Sequence, residues 1–260
     1  MGSTLTTLEY DGPIAIITNN RPEKLNAAND EMDEAFRDIL EELRDKPEVR
    51  AAIWRANGTS WSSGRDVSQI GVRTEDIDNY TFIERGQRAM KTLMDLRIPV
   101  ICAMKGWVIG GSFERSLVCD LRIATEDTRF RLPEVKHGVI TDTGGMARLF
   151  QMCGHGVTMD LILTGRIMDA QEALWHGIVS RVVPAEELEE TALEMARAIA
   201  RAPAFTVNMA RRNMGILANQ MVADSIGEET TTQTLVFASG DYAEMKAARA
   251  EKREPKYRNR

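Results

Sequence analysis

The chain has 260 residues, of which 43% are hydrophobic and 28% charged. That balance suits one large water-soluble domain, or one domain with a small appendage, and it leaves enough apolar surface for a sizeable core. The 33 basic and 39 acidic residues give a net charge of −6, which argues against nucleic acid or an anionic membrane as the main partner.

The three cysteines, Cys102, Cys119 and Cys153, form no C-x-x-C pair, and the first two lie in apolar runs. Their expected role is core packing in a reducing compartment. No apolar run approaches the ~20 residues of a membrane span, and the N-terminus has neither the basic nor the apolar segment of a secretory signal. A cytoplasmic protein is the expectation.

In chain order, residues 4–10 and 14–18 read as two strands joined by the Asp11-Gly12 turn. Residues 29–45 place Met32, Phe36, Ile39, Leu40 and Leu43 at helical spacing behind Asn29, a residue suited to the N-cap. A strand at 49–54 leads into a Gly/Ser loop at 57–64, and a helix is predicted over 76–96. The stretch 99–103 is a short apolar strand, 106–111 a glycine-containing turn, 112–118 a helix and 121–124 another strand. Strands alternating with helices predict an α/β architecture with a largely parallel sheet. From residue 144 the chain reads as mostly helical, with a strong amphipathic helix over 184–201, another opened by Pro203 and one or two more across 219–250. The composition shift at Ala202-Pro203 divides a core, 1–202, from a helical extension, 203–260.

The informative stretch is 97–149. A strand, then Gly110-Gly111, then a helix with Glu114 in its first turns brings unpaired backbone N–H groups to a place that glycine leaves open. Such groups can hold a developing oxyanion. Glu114 sits between apolar segments, and Glu134 follows twenty residues later, after a proline and before a second glycine pair, Gly144-Gly145.

Six segments together resemble the enoyl-CoA hydratase/isomerase (crotonase) superfamily. They are NRPEKLNA (20–27), SWSSGRD (60–66), IPVICAMKGWVIGGSFE (98–114), CDLRIA (119–124), FRLPEVKHGVITDTGG (130–145) and LTGRIMDAQEALWHGIVSRVV (163–183). The resemblance implies a spiral of repeated strand-strand-helix units, with a C-terminal helical region that builds a homotrimer or hexamer. It implies that the backbone N–H groups of Arg65 and Gly111 form an oxyanion hole for a thioester oxygen. Glu114 and Glu134 would hold the water that adds to a 2-enoyl-CoA thioester. Lys24, Leu25, Asn26 and Lys252 would touch coenzyme A, which is part of the substrate; no separate cofactor is implied.

Three positions depart from the family pattern. Arg65 stands where a small residue is usual, and its side chain could shield the thioester, reach a phosphate or point to solvent. Ser112-Phe113 replaces the usual small pair before the glutamate, with Phe113 filling acyl space or packing. Asp142 stands where hydratases have glycine. An acid there resembles the dienoyl-CoA isomerases, in which it joins two further acids, and also the chlorobenzoyl-CoA dehalogenases, which lack an acid at the Glu114 position. Asp142 could instead cap a helix beginning near Thr143. The readings left open are hydratase, double-bond isomerase, hydrolase and non-catalytic acyl-CoA binder.

The remaining polar residues have structural expectations. His137, His155 and His176 have no metal-binding spacing. Asp66 and Asp120 read as loop and strand-end residues. The family's adenine-stacking phenylalanine falls on Gln233, with Phe237 one turn later.

Overall fold

The computed structural model describes residues 3–72 and 76–258. Two strands open it as a hairpin, β1 (Thr6–Asp11) antiparallel to β2 (Ile14–Asn19). Helix α1 (Asp30–Arg44) follows, capped by the Asn29 side chain, which accepts from Met32 N–H at 2.9 Å. Next come β3 (Ala51–Ala56), α2 (Asn79–Asp95), β4 (Val100–Met104), β5 (Trp107–Ile109), α3 (Gly111–Val118) and β6 (Leu121–Thr125). The remainder is β7 (Arg129–Arg131), α4 (Gly145–Thr164), β8 (Ile167–Asp169), α5 (Ala170–Trp175), β9 (Arg181–Val183), α6 (Leu188–Arg201), α7 (Ala204–Ala238) and α8 (Gly240–Glu251).

The main sheet runs β1-β2-β3-β4-β6-β9, and every pairing beyond the hairpin is parallel. Burial on both faces explains why its central strands read as unbroken apolar runs. Ala51 and Ile53 of β3, with Ile101 and Ala103 of β4, meet Leu188, Ala192 and Ala196 of α6. Their alternates, Ala52, Trp54, Val100 and Cys102, join the larger core with Phe36, Leu40, Met90 and Leu93. Trp54 stacks on Phe36 at 4.2 Å and gives its indole N–H to Asn19 at 2.9 Å, so the large ring is buried with its donor satisfied.

A second sheet, β5-β7-β8, was not legible as strands. Its members and β9 are each three residues long, too short to show a period of two. β5 lies within the stretch expected to be only a turn. The Gly-His-Gly around His155 lies inside α4 as a kink at Gly154 (φ 71°). The predicted helix over 184–201 begins as a single 3-10 turn, and the helices after Pro203 are one long α7 followed by α8. Among the described residues no helix is long and apolar enough to cross a membrane.

Candidate active site

The short second sheet has a clear consequence for the loop at 60–66. Ser62 N–H donates to Trp107 C=O and Ile109 N–H to Ser62 C=O, both at 3.0 Å, which draws that loop alongside β5. Gly64 (φ +92°) lies against Ile109, where an added Cβ would stand 2.8 Å from the carbonyl oxygen. Only glycine fits both the torsion and the approach. On either side of Arg65, Ala28 N–H donates to Gly64 C=O (2.7 Å) and Asp66 N–H to Ala28 C=O (2.9 Å). The Arg65 N–H between them has no acceptor among the described residues. Gly111 opens α3, so its N–H is one of the helix's unpaired first-turn donors. Both residues line a cavity of about 590 Å³.

Glu114, Glu134 and Asp142 line the same cavity. Glu114 is 1% exposed, and its Oε2 accepts the N–H groups of Thr143 and Gly145, each at 3.1 Å. Gly145 leaves room for it, since a Cβ there would collide with the Glu114 side chain. Glu134 sits in a single 3-10 turn after Pro133. Its Oε1 would be 2.7 Å from a Cβ on Gly110, and its Oε2 is buried without a partner among the described residues.

Burial is the largest influence on all three acids, and it raises their pKa values. For Glu114, repulsion from Glu134, Asp142 and Glu229 adds to burial and carries it well above the carboxylate range, against the pull of the Thr143 amide. Glu134 is pushed up to about 8 by burial, with Asp142 adding. Asp142 is pushed up to about 7 by burial and Glu229, with Arg115 opposing. Shifts of this size in one cleft mark a site suited to proton transfer.

Asp142 does not cap a helix. The N-cap of α4 is Gly144 in left-handed geometry, with no side-chain cap of its own. The α4 N-terminus instead gives its N–H groups to carboxylates from elsewhere: Thr143 and Gly145 to Glu114, and Gly144 to Glu229 at 2.9 Å.

The Arg65 side chain is held against the first turn of α1. It pairs with Asp30 and, at 2.9 Å, with Asp33. Burial raises the Asp33 pKa, but Arg115 and Arg65 outweigh it and hold the carboxyl below its usual value. Phe113 is fully buried against Phe130 at 5.0 Å, so it packs. Ser112 shares a 2.7 Å hydrogen bond with Ser62. Asp66 takes the Ser68 N–H and pairs with Arg21, and Asp120 takes the Val100 N–H and pairs with Arg211; both are structural. His137 lines the cavity with its Nδ1 2.8 Å from Arg249, and His176 caps the end of α5.

Lys24, Leu25, Asn26 and Lys252 do not line the main cavity. Asn26 is buried, and its amide is committed to Arg21 N–H, Asn57 C=O and Ser60 C=O. Lys24 and Leu25 are exposed, and Leu25 borders a separate recess of about 370 Å³ with Trp107 and Arg129. Lys252 is exposed at the C-cap of α8.

Gln87, Glu229 and Thr230 carry no motif in the sequence, and Gln233 stands out there only as the position of the adenine contact. Gln233 lines the cavity together with Phe237. The available signal was a stripe. The inward positions of α7 run Val222, Ile226, Glu229, Thr230, Gln233, turning from apolar to polar at helical spacing.

The enoyl-CoA hydratase/isomerase family model matches residues 9–260. The “Probable enoyl-CoA hydratase echA8” of Mycobacterium tuberculosis is 35% identical over 256 residues, covering 97% of each chain. The “Short-chain-enoyl-CoA hydratase” of Clostridium acetobutylicum is 32% identical over 249 residues, covering 95% of this chain and 94% of its own. The crystal structure of an enoyl-CoA hydratase/isomerase from Pseudoalteromonas atlantica superposes with a TM-score of 0.89 at 27% identity, covering 98% of this chain and all of that one. The fold is therefore the α/β crotonase fold, and the chain belongs to the enoyl-CoA hydratase/isomerase family.

Proposed function

We propose that the protein is an enoyl-CoA hydratase-type lyase that adds water across the 2,3 double bond of a 2-enoyl-CoA thioester. The observation that carries this reading is one cavity lined by two buried carboxylates and two residues whose backbone N–H groups have no acceptor among the described residues: Glu114, Glu134, Arg65 and Gly111. The Arg65 and Gly111 amides hold the thioester oxygen. Glu114 takes a proton from water as the water oxygen bonds to Cβ, and the double-bond electrons move through Cα to the thioester oxygen as an enolate. Glu134 then gives its proton to Cα, and the carbonyl reforms. Two features favour this division. The two amides on Glu114 Oε2 suit its anion, while the unpartnered Oε2 of Glu134 suits a neutral acid. When Glu134 and Asp142 hold protons, their repulsion on Glu114 disappears, which leaves burial and Glu229 to be opposed by the two amides. The reading calls on no resident cofactor.

Coenzyme A would lie over the exposed Lys24 and Leu25, with the buried Asn26 holding their loop from beneath and Lys252 at the phosphates. The extension 203–260 would associate with further copies of the chain as a trimer or hexamer, in keeping with the exposure of Phe205, Met214, Ile216 and Leu217. Light scattering tests that assembly.

A second reading has its own support. Asp142 lines the cavity, caps no helix and has a raised pKa, as a third proton carrier would in a double-bond isomerase. Crotonyl-CoA and a 3,5-dienoyl-CoA separate the two. Loss of the enoyl absorbance with crotonyl-CoA, reduced about 10³-fold in Glu134→Gln, is the expected result. Full activity in Glu134→Gln removes the two-glutamate mechanism. Turnover of the dienoyl substrate alone, abolished in Asp142→Asn, makes the protein an isomerase. Binding of CoA without turnover of either makes it a non-catalytic binder.

A further inference from the structure

Helix α7 contributes Gln233 and Phe237 to the lining of the cavity. Packing alone would call for more of the apolar side chains that begin its inward stripe, Val222 and Ile226. Three polar ones follow instead: Glu229 and Thr230, each 2% exposed, and Gln233 at 0%. Burying them is costly unless each finds a partner.

Their partners converge on one segment. Glu229 Oε2 accepts the Gly144 N–H (2.9 Å), and its Oε1 is held by Ser225 at 2.6 Å. Gln233 Oε1 accepts the Ile140 N–H at 2.8 Å. The Thr230 hydroxyl lies 2.8 Å from both Gln87 Oε1 and the Ile226 C=O and shares its one proton between them, and Gln87 Nε2 donates to the Asp142 C=O at 2.5 Å. The chain is thus held at the Asp142 carbonyl and two residues to either side. Of three consecutive amides at the α4 terminus, the outer two go to Glu114 and the middle one to Glu229. Beyond this clamp, Gly138 lies 3.2 Å from Met245 of α8, measured from an added Cβ, and Gly71 lies under Tyr242.

We infer that α7 positions the reacting groups within its own chain: Glu229, Gln233 and the Thr230–Gln87 pair hold 140–144 so that the Thr143 and Gly145 amides meet Glu114 and Asp142 stays in the cavity. This rests on the role proposed above for Glu114. These side chains are positioning residues and take no proton from substrate. The charged and titratable groups facing Glu229 and its neighbours are Glu114 and Arg115 from α3, Glu134 from the 3-10 turn and Asp142 from the loop; α2 contributes the neutral Gln87 and also places Arg85 on the cavity wall. Glu229 therefore adds negative charge to a site that already holds three acids.

The test compares full-length Glu229→Leu, Gln233→Leu and Glu229→Gln with wild type. Hydrogen exchange over 139–146 in the ligand-free protein reads the clamp, and kcat, KM and the pH–rate profile with crotonyl-CoA read its consequence. Both Leu variants are expected to speed exchange there about 10-fold or more, and to lower kcat about 10–100-fold with little change in KM. Glu229→Gln keeps an acceptor for Gly144, so protection and rate should return. Its pH–rate profile should shift to lower pH, because one repelling charge has gone. The inference is overturned if folded Leu variants keep wild-type exchange and kcat, or if exchange rises evenly across the molecule while the pH profile stays put in all three. If wild type hydrates no enoyl-CoA but the exchange result holds, the proposed function fails and the clamp stands.

Discussion

Helices α1 and α4 solve the same problem in opposite ways. Each must satisfy first-turn N–H groups that have no partner within the helix. α1 uses its own neighbour, with Asn29 accepting the Met32 N–H and Asp30, Glu31 and Asp33 in the first turn opposing the dipole. α4 begins at glycines and has no side chain of its own at the cap. Its donors are met by Glu114, about thirty residues upstream, and Glu229, about eighty-five downstream. A local neutral cap contributes stability alone. A remote charged cap links stability to the charge of the cavity.

The largest expected effect lies at the α4 terminus. Glu114→Gln keeps an amide oxygen to accept from Thr143 and Gly145, so the fold should persist. The neutral side chain cannot take a proton from water, and kcat for crotonyl-CoA should fall about 10³-fold or more. Near wild-type turnover in this variant would reduce Glu114 to a cap, and the two helix termini would then differ only in where the cap comes from.

The next effect is on stability against pH. Burial pushes Asp142 up to about 7 and Glu134 up to about 8, from their ordinary values of 3.8 and 4.5. The folded protein therefore binds protons more tightly than the unfolded chain does. The stability these groups contribute is fully present below about pH 4 and is lost as pH rises through 7 to 8. Between pH 5 and 9 the ligand-free protein should lose on the order of a few kcal/mol from this source, read from urea midpoints. Glu134→Gln should flatten the curve. An unchanged slope in that variant would locate the titration elsewhere.

The same contrast explains what could be read from the sequence. The α1 cap, the β1-β2 hairpin and the apolar strands β3, β4 and β6 rest on neighbours in sequence or on burial of both sheet faces, and both leave local patterns. Glu114, Glu134, Arg65 and Gly111 were nominated through motif resemblance, and their common cavity follows from β5 drawing the 60–66 loop beside α3. β5, β7 and β8 are too short to signal themselves. The hold of α7 on 140–144 joins residues about 55–95 positions apart through single hydrogen bonds, which no local pattern records. A cap at Asp142 is one of two readings that the local sequence leaves open, and it fails because distant carboxylates take the amides.

The smallest effect is the control for this comparison. Asn29→Ala removes one neutral acceptor from the α1 terminus and should cost about 1 kcal/mol. Because neither Asn29 nor Met32 titrates, the loss should be the same at pH 5 and pH 9. Turnover should not change, since Asn29 does not line the cavity. The loss could reach the site through Ala28, whose backbone holds Gly64 and Asp66, and through Asp30 and Asp33 in the first turn of α1, which pair with Arg65, Asp33 also with Arg115. Those ion pairs are anchored from α3 and the 60–66 loop as well as from α1, so fraying of one cap bond should leave them in place. A fall in kcat that tracks the loss of stability would show that α1, like α4, carries its terminus into the chemistry, and the distinction between the two helices would end there.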